Sequence, residues 1–145
     1  MKPPAARDAG PRVEAAARDW LEARGLQTVA TNFRSRRGEL DLVMREGTEL
    51  VIVEVRYRAG RSHGGAAASV DARKQRRLLA TAGWLLATRP ALGRLRMRFD
   101  VLAASGEPEA PDFEWLRDAF RASVAPASNP GRTRVEPGPR RGGVT

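Results

Sequence analysis

No cysteine occurs in the 145 residues, which excludes disulfide staples and thiolate-bound zinc. Histidine is nearly absent too, and a lone His63 cannot assemble a zinc site. No apolar run approaches the length of a membrane-spanning helix. The opening stretch, MKPPAARDAGPR, lacks the apolar core of a signal peptide. The expectation is a cytoplasmic protein that does not enter a membrane. Negative charge is scarce as well: 17 Asp and Glu stand against 26 Lys and Arg, a formal net charge of +9. Such an excess favours a polyanionic partner, most often nucleic acid, over a generically arginine-rich surface.

What is present reads as one domain, long enough to bury a core without staples. Apolar residues are missing from the two ends. Residues 1–12 hold three prolines, and residues 126–145 hold four prolines, four glycines and four arginines. Neither segment can bury enough surface to offset its ordering entropy, so both are expected to be disordered, the second as a basic tail. The folded domain is expected over 13–125.

Inside it, Val13, Ala16, Ala17, Trp20 and Leu21 mark one face of a helix that Gly25 stops. LQTVATNFR (26–34) predicts an outer strand. GELDLVMR and ELVIVEVRYR predict two strands joined at Glu46-Gly47-Thr48. A Gly- and Ala-rich loop over 59–69 leads to a second helix over about 71–88. Its inward residues are Leu78, Leu79, Ala82, Leu85 and Leu86, and Pro90 lies beyond its end. RMRFDVLAA (96–104) predicts a further strand, and DFEWLRDAF (112–120) fits either strand or helix. Trp20, Trp84 and Phe99 fall at or beside core-facing positions. Asp100 shares a strand face with Arg98, which suits an ion pair.

Carboxylates sit where these strands should be apolar. Glu54 and Arg56 project from one face of their strand, with Leu50, Ile52 and Arg58. Glu39 and Asp41 share a face of the preceding strand, with Leu40, Leu42 and Met44 on the other. If Gly47-Thr48 is a two-residue turn, Asp41 falls directly opposite Glu54, about 5 Å away. Two partly desolvated carboxylates at that separation raise one pKa or recruit a cation. A hard divalent ion, Mg²⁺ or Mn²⁺, is the natural solution, with Arg56 placed to hold a phosphate oxygen or stabilise developing charge. The competing reading is a solvated hairpin held by salt bridges.

GELDLV, VIVEVRYR, GGAAASVDARKQRRLLATAGWLL and RMRFDVLA follow one another in the order seen in the bacterial YraN family, which this chain resembles over about residues 12–122. That family is similar to archaeal Holliday-junction resolvases and to the restriction-endonuclease-like PD-(D/E)xK superfamily. The resemblance implies an α/β fold, an αβββαβ core whose mixed central sheet is flanked by helices. It also implies a nucleic-acid-binding protein acting as a metal-dependent endonuclease on DNA phosphodiesters, branched DNA included. The alternative is a catalytically inactive DNA- or RNA-binding module that retains the nuclease fold. By position, Asp41 and Glu54 would be the catalytic acids and metal ligands. Glu14, on the first helix beside the apolar stripe, would complete the site, and Glu39 would be a helper. Arg56 stands where the superfamily has lysine, and arginine cannot act as a base. Lys74 matches a helix-borne lysine of the family. It is expected, with Arg58, Arg61 and Arg77, to contact nucleic-acid phosphates. Resolvase-like relatives imply a homodimer, since a four-way junction presents two symmetric cuts.

Overall fold

A helix must bury its apolar stripe, and Val13, Ala17 and Leu21 do so almost completely. They lie on α1 (Ala6–Glu22) of the computed structural model, which describes residues 6–59 and 70–120. Gly25, with φ +102°, lets the chain turn away. Leu26 N–H reaches the Leu21 carbonyl and Gly25 N–H that of Glu22, a Schellman stop sealed by contact between Leu21 and Leu26.

The chain then builds β1 (Gln27–Ser35), β2 (Gly38–Glu46) and β3 (Glu49–Arg58) as an antiparallel meander. Glu46 pairs with Glu49 across the Gly47-Thr48 turn, as expected. A crossover through α2 (Ala72–Thr88) and a short 3₁₀ turn (Pro90–Arg94) returns the chain to β4 (Arg96–Glu107), parallel to β3. Such a crossover is the usual means of making strands parallel. Asp71 caps α2 by accepting the Lys74 N–H at 2.9 Å. DFEWLRDAF belongs to β5 (Ala110–Phe120), antiparallel to β4. The five strands run in the order β1-β2-β3-β4-β5, a mixed sheet in the expected α/β arrangement with one further strand.

Each face of the sheet has its own core. Leu40, Val43, Leu50, Ile52, Phe99 and Val101 pack with Leu78, Ala82 and Leu85 of α2. Leu42, Met44, Val51, Val53 and Leu102 pack with Ala17 and Leu21 of α1. Among the described residues no helix is long and apolar enough to cross a membrane.

Three expectations change. The segment 1–12 is helical from Ala6, although Pro11 lies inside the helix. An interior proline forgoes a helix hydrogen bond, so the composition of this stretch points away from helix. Trp84 is 53% exposed on the outer side of α2 and takes no part in the core, whereas Trp20 packs on Phe113 and Trp115, and Phe99 stacks on Phe120. Leu40 packs on the α2 side while Leu42 and Met44 pack on the α1 side, so strict alternation along β2 breaks between them. The glycine-rich loop, with Arg61 and His63, and the tail 126–145 lie outside the described residues.

Arg98 and Asp100 form the expected ion pair, wholly buried. Arg98 donates to both Asp100 oxygens, at 3.0 and 3.1 Å, and also pairs with Glu46 and Glu49. Asp100 further accepts from Trp115 Nε1 and the Asp118 N–H, each at 2.8 Å. These bonds offset the desolvation of both charges. Arg98→Ala strands Asp100 in the core and is expected to lower stability by about 3–5 kcal/mol, read from urea unfolding at neutral pH. A loss under about 1 kcal/mol would contradict that account.

Candidate active site

The break in β2 coincides with a break in hydrogen bonding. The β2–β3 ladder runs from Glu46↔Glu49 to Leu42↔Val53, and its next rung would set Asp41 opposite Glu54. There Asp41 Oδ2 accepts the Val55 N–H at 2.9 Å, a side chain standing in for the ladder. Opposite it in β1 the register holds from Thr31↔Leu42 to Phe33↔Leu40, but Asn32 between them has φ +50°, and the register shift of this strand pair lies further back, between Thr28 and Ala30. Asparagine tolerates this left-handed conformation better than most residues.

The irregular rung gathers charge. Burial, then the Glu54 carboxylate beside it, pushes Asp41 up from 3.8 to about 7, against the pull of the Val55 N–H. Glu14 and Glu39 raise it further. Those two are held by Asn32, whose amide donates to Glu14 Oε1 at 2.9 Å and Glu39 Oε2 at 3.0 Å. Glu54 is buried, and its Oε2 lies 3.3 Å from Arg56 Nη1 and 3.3 Å from Lys74 Nζ.

The expected residues are thus partly assembled. Glu54 meets Arg56 and Lys74 and lies near Asp41, while Glu14 and Glu39, held by Asn32, act on Asp41 as well. Arg58 is exposed at the end of β3, and Arg77 is exposed on α2 away from the carboxylates, beside Arg37, Arg73 and Arg76. Among the described residues no three His, Cys, Asp or Glu side chains form a ready-made metal cage. Two features were missed in the sequence. Asn32 gave no signal, because its role depends on a bent strand pair. Lys74, expected at a nucleic-acid phosphate, reaches Glu54 from α2. Composition held a clue: Lys2 and Lys74 are the only lysines in an arginine-rich chain.

Residues 13–104 match a family described as "Uncharacterised protein family UPF0102". A UPF0102 protein of Xanthomonas campestris pv. campestris is 57% identical over 119 residues, covering 82% of this chain and 96% of the relative. The chain belongs to the UPF0102 family. The YraN resemblance holds with it: the UPF0102 protein YraN of Salmonella newport is 50% identical over 115 residues, 79% of this chain and 85% of that one. A UPF0102 protein of Methylococcus capsulatus is 49% identical over 113 residues, 78% and 90% of the two chains.

In this UPF0102 chain the raised Asp41 pKa has a consequence for stability. The folded chain keeps that proton up to about pH 7, whereas the unfolded chain releases it near 3.8. Between those values the folded state binds more protons, so stability falls as pH rises from about 4 to about 7. Asp41→Asn keeps an acceptor for Val55 N–H and removes the titration. Without metal at pH 8 it is expected to equal or exceed the wild type by up to about 1–3 kcal/mol, with the advantage vanishing near pH 4. Urea unfolding from pH 4 to 8 checks this. Strong destabilisation of Asp41→Asn at pH 8 would instead make the carboxylate a structural anchor.

Proposed function

We propose that this UPF0102 chain is a metal-dependent endonuclease hydrolysing DNA phosphodiesters, with branched DNA as the substrate class. The observation that carries the reading is the buried Asp41 carboxyl close enough to Glu54 to be raised by its charge, with the Lys74 ammonium 3.3 Å from Glu54. Asp41 and Glu54 would hold the ion. Their donor set is oxygen alone, and Mg²⁺ typically takes one or two protein carboxylates and completes its shell with water and phosphate oxygens. A ready-made cage is therefore not required. When bound, the ion polarises a phosphoryl oxygen and lowers the pKa of its water.

The chain's own groups divide the remaining work. Lys74 carries a compact ammonium with three N–H donors, so it is suited to orient an attacking water by donating to its oxygen. Arg56, always charged, is suited to a phosphate oxygen as negative charge develops. Glu14 and Glu39, clamped by Asn32, add negative charge behind Asp41 and favour a cation there. Arg58 and Arg77 would bind phosphates outside the reacting centre. A homodimer would offer paired sites to the symmetric strands of a junction. Arg56 at the superfamily's lysine position favours a second reading, a DNA-binding module without cleavage.

Cleavage of plasmid and synthetic junction DNA in Mg²⁺ or Mn²⁺ tests the two. Asp41→Ala is expected to abolish cleavage. Lys74→Arg, which keeps the charge, is expected to slow it by about 10²-fold or more with binding retained. Undiminished cleavage by Lys74→Arg would refute its role. Tight junction binding by the wild type with no metal-dependent cleavage would establish the second reading.

A further inference from the structure

Trp84 is the exposed large apolar side chain among the described residues, and its surroundings are cationic. It lines a cleft of about 460 Å³ with Ser35, Arg36 and Arg37 of the β1–β2 turn. Arg37 also lines a second hollow of about 400 Å³, with Arg73, Arg76, Arg77 and Ala80 of α2. The two join into one strip. Residues 73, 77, 80 and 84 recur at helical spacing, so they share the outer side of α2. Among the described residues, no carboxylate forms a salt bridge with Arg36, Arg37, Arg73, Arg76 or Arg77.

The strip is built rather than incidental. The β1–β2 turn approaches α2 so closely that a Cβ on Gly38 would lie 3.3 Å from Thr81 Oγ1, and Gly38 has φ +149°. Only glycine suits that combination. Thr81 is itself buried, with its hydroxyl donating to the Arg77 carbonyl at 2.9 Å. The turn's arginines are thereby fixed beside those of the helix.

An exposed tryptophan among unpaired arginines has one matching ligand chemistry: a π-face on a polyanionic strand. A second copy of this chain would set arginines against arginines. Paired duplex hides its base faces, so the ligand must contain unpaired or unstacked bases. We infer that this strip binds an unpaired DNA segment, with a base stacked on Trp84 and phosphates on Arg36, Arg37, Arg73, Arg76 and Arg77. The assignment rests on the reading of the chain as a DNA-acting protein, but not on its cleavage chemistry.

The test is fluorescence-anisotropy titration of the full chain in EDTA with a single strand, a flapped duplex and a blunt duplex. Trp84→Ala is expected to weaken single-strand and flap binding by roughly 5- to 100-fold, with blunt-duplex binding changed less than about twofold. Trp84→Phe should keep most of the affinity. Arg73→Ala and Arg77→Ala should weaken all three ligands and each flatten the salt dependence by about one counterion. Equal loss on all three DNAs, or no loss, in Trp84→Ala overturns the stacking assignment while leaving the nuclease reading intact. A shift of Trp84→Ala to a smaller species in sedimentation, with DNA binding unchanged, overturns it in favour of self-association. Failure of the wild type to bind any DNA at low salt overturns this inference and the DNA-acting reading together.

Discussion

Asp41 and Glu54 come close on adjacent strands just beyond the last pair of the β2–β3 ladder, and burial with the Glu54 charge beside it keeps Asp41 protonated up to about pH 7. A two-residue turn sets the register. The ladder stops one rung short of the pair, and Asp41 takes the freed Val55 N–H. From one side α2 brings Lys74 to Glu54. From the other, α1 brings Glu14 towards Asp41, with Asn32 clamping it to Glu39. Each helix has a core of its own on its side of the sheet, so the approach of both is fixed by burial rather than by the charges.

The second acidic centre shows how the chain treats a carboxylate meant only for structure. Asp100 is fully buried, with Arg98, Trp115 and the Asp118 N–H filling its acceptor positions. Asp41 accepts one backbone N–H, feels the Glu54 charge most strongly among its charged neighbours, and retains its proton up to about pH 7. Two carboxylates in one sheet thus have opposite surroundings. The first has its acceptor positions filled, and the second keeps its proton instead.

Much of this was legible in the residues. Period-two alternation gave β2, β3 and β4, the helical stripe gave α1, and the even turn gave the Glu46↔Glu49 pairing that fixes the β2–β3 register. What was hidden lay where local rules yield to neighbours. Leu40 leaves the face of Leu42 across Asp41, opposite the left-handed Asn32 and with no change of register, and alternation cannot foresee it. α1 runs through Pro11, against proline's usual effect. Trp84 reads as core by type and spacing, yet the helix turns it outwards. Lys74 reads as one cation in a basic run, and only the crossover geometry brings it to Glu54.

The central proposal is that Asp41 and Glu54 would hold a hard divalent cation. Titration of the metal-free chain with Mn²⁺ at pH 8, followed by the electron paramagnetic resonance of the free ion, tests it most directly. The account predicts saturable binding of one ion, weakened as pH falls below about 7 and lost in Asp41→Asn. Absence of binding by the wild type, or equal binding by Asp41→Asn, would contradict it.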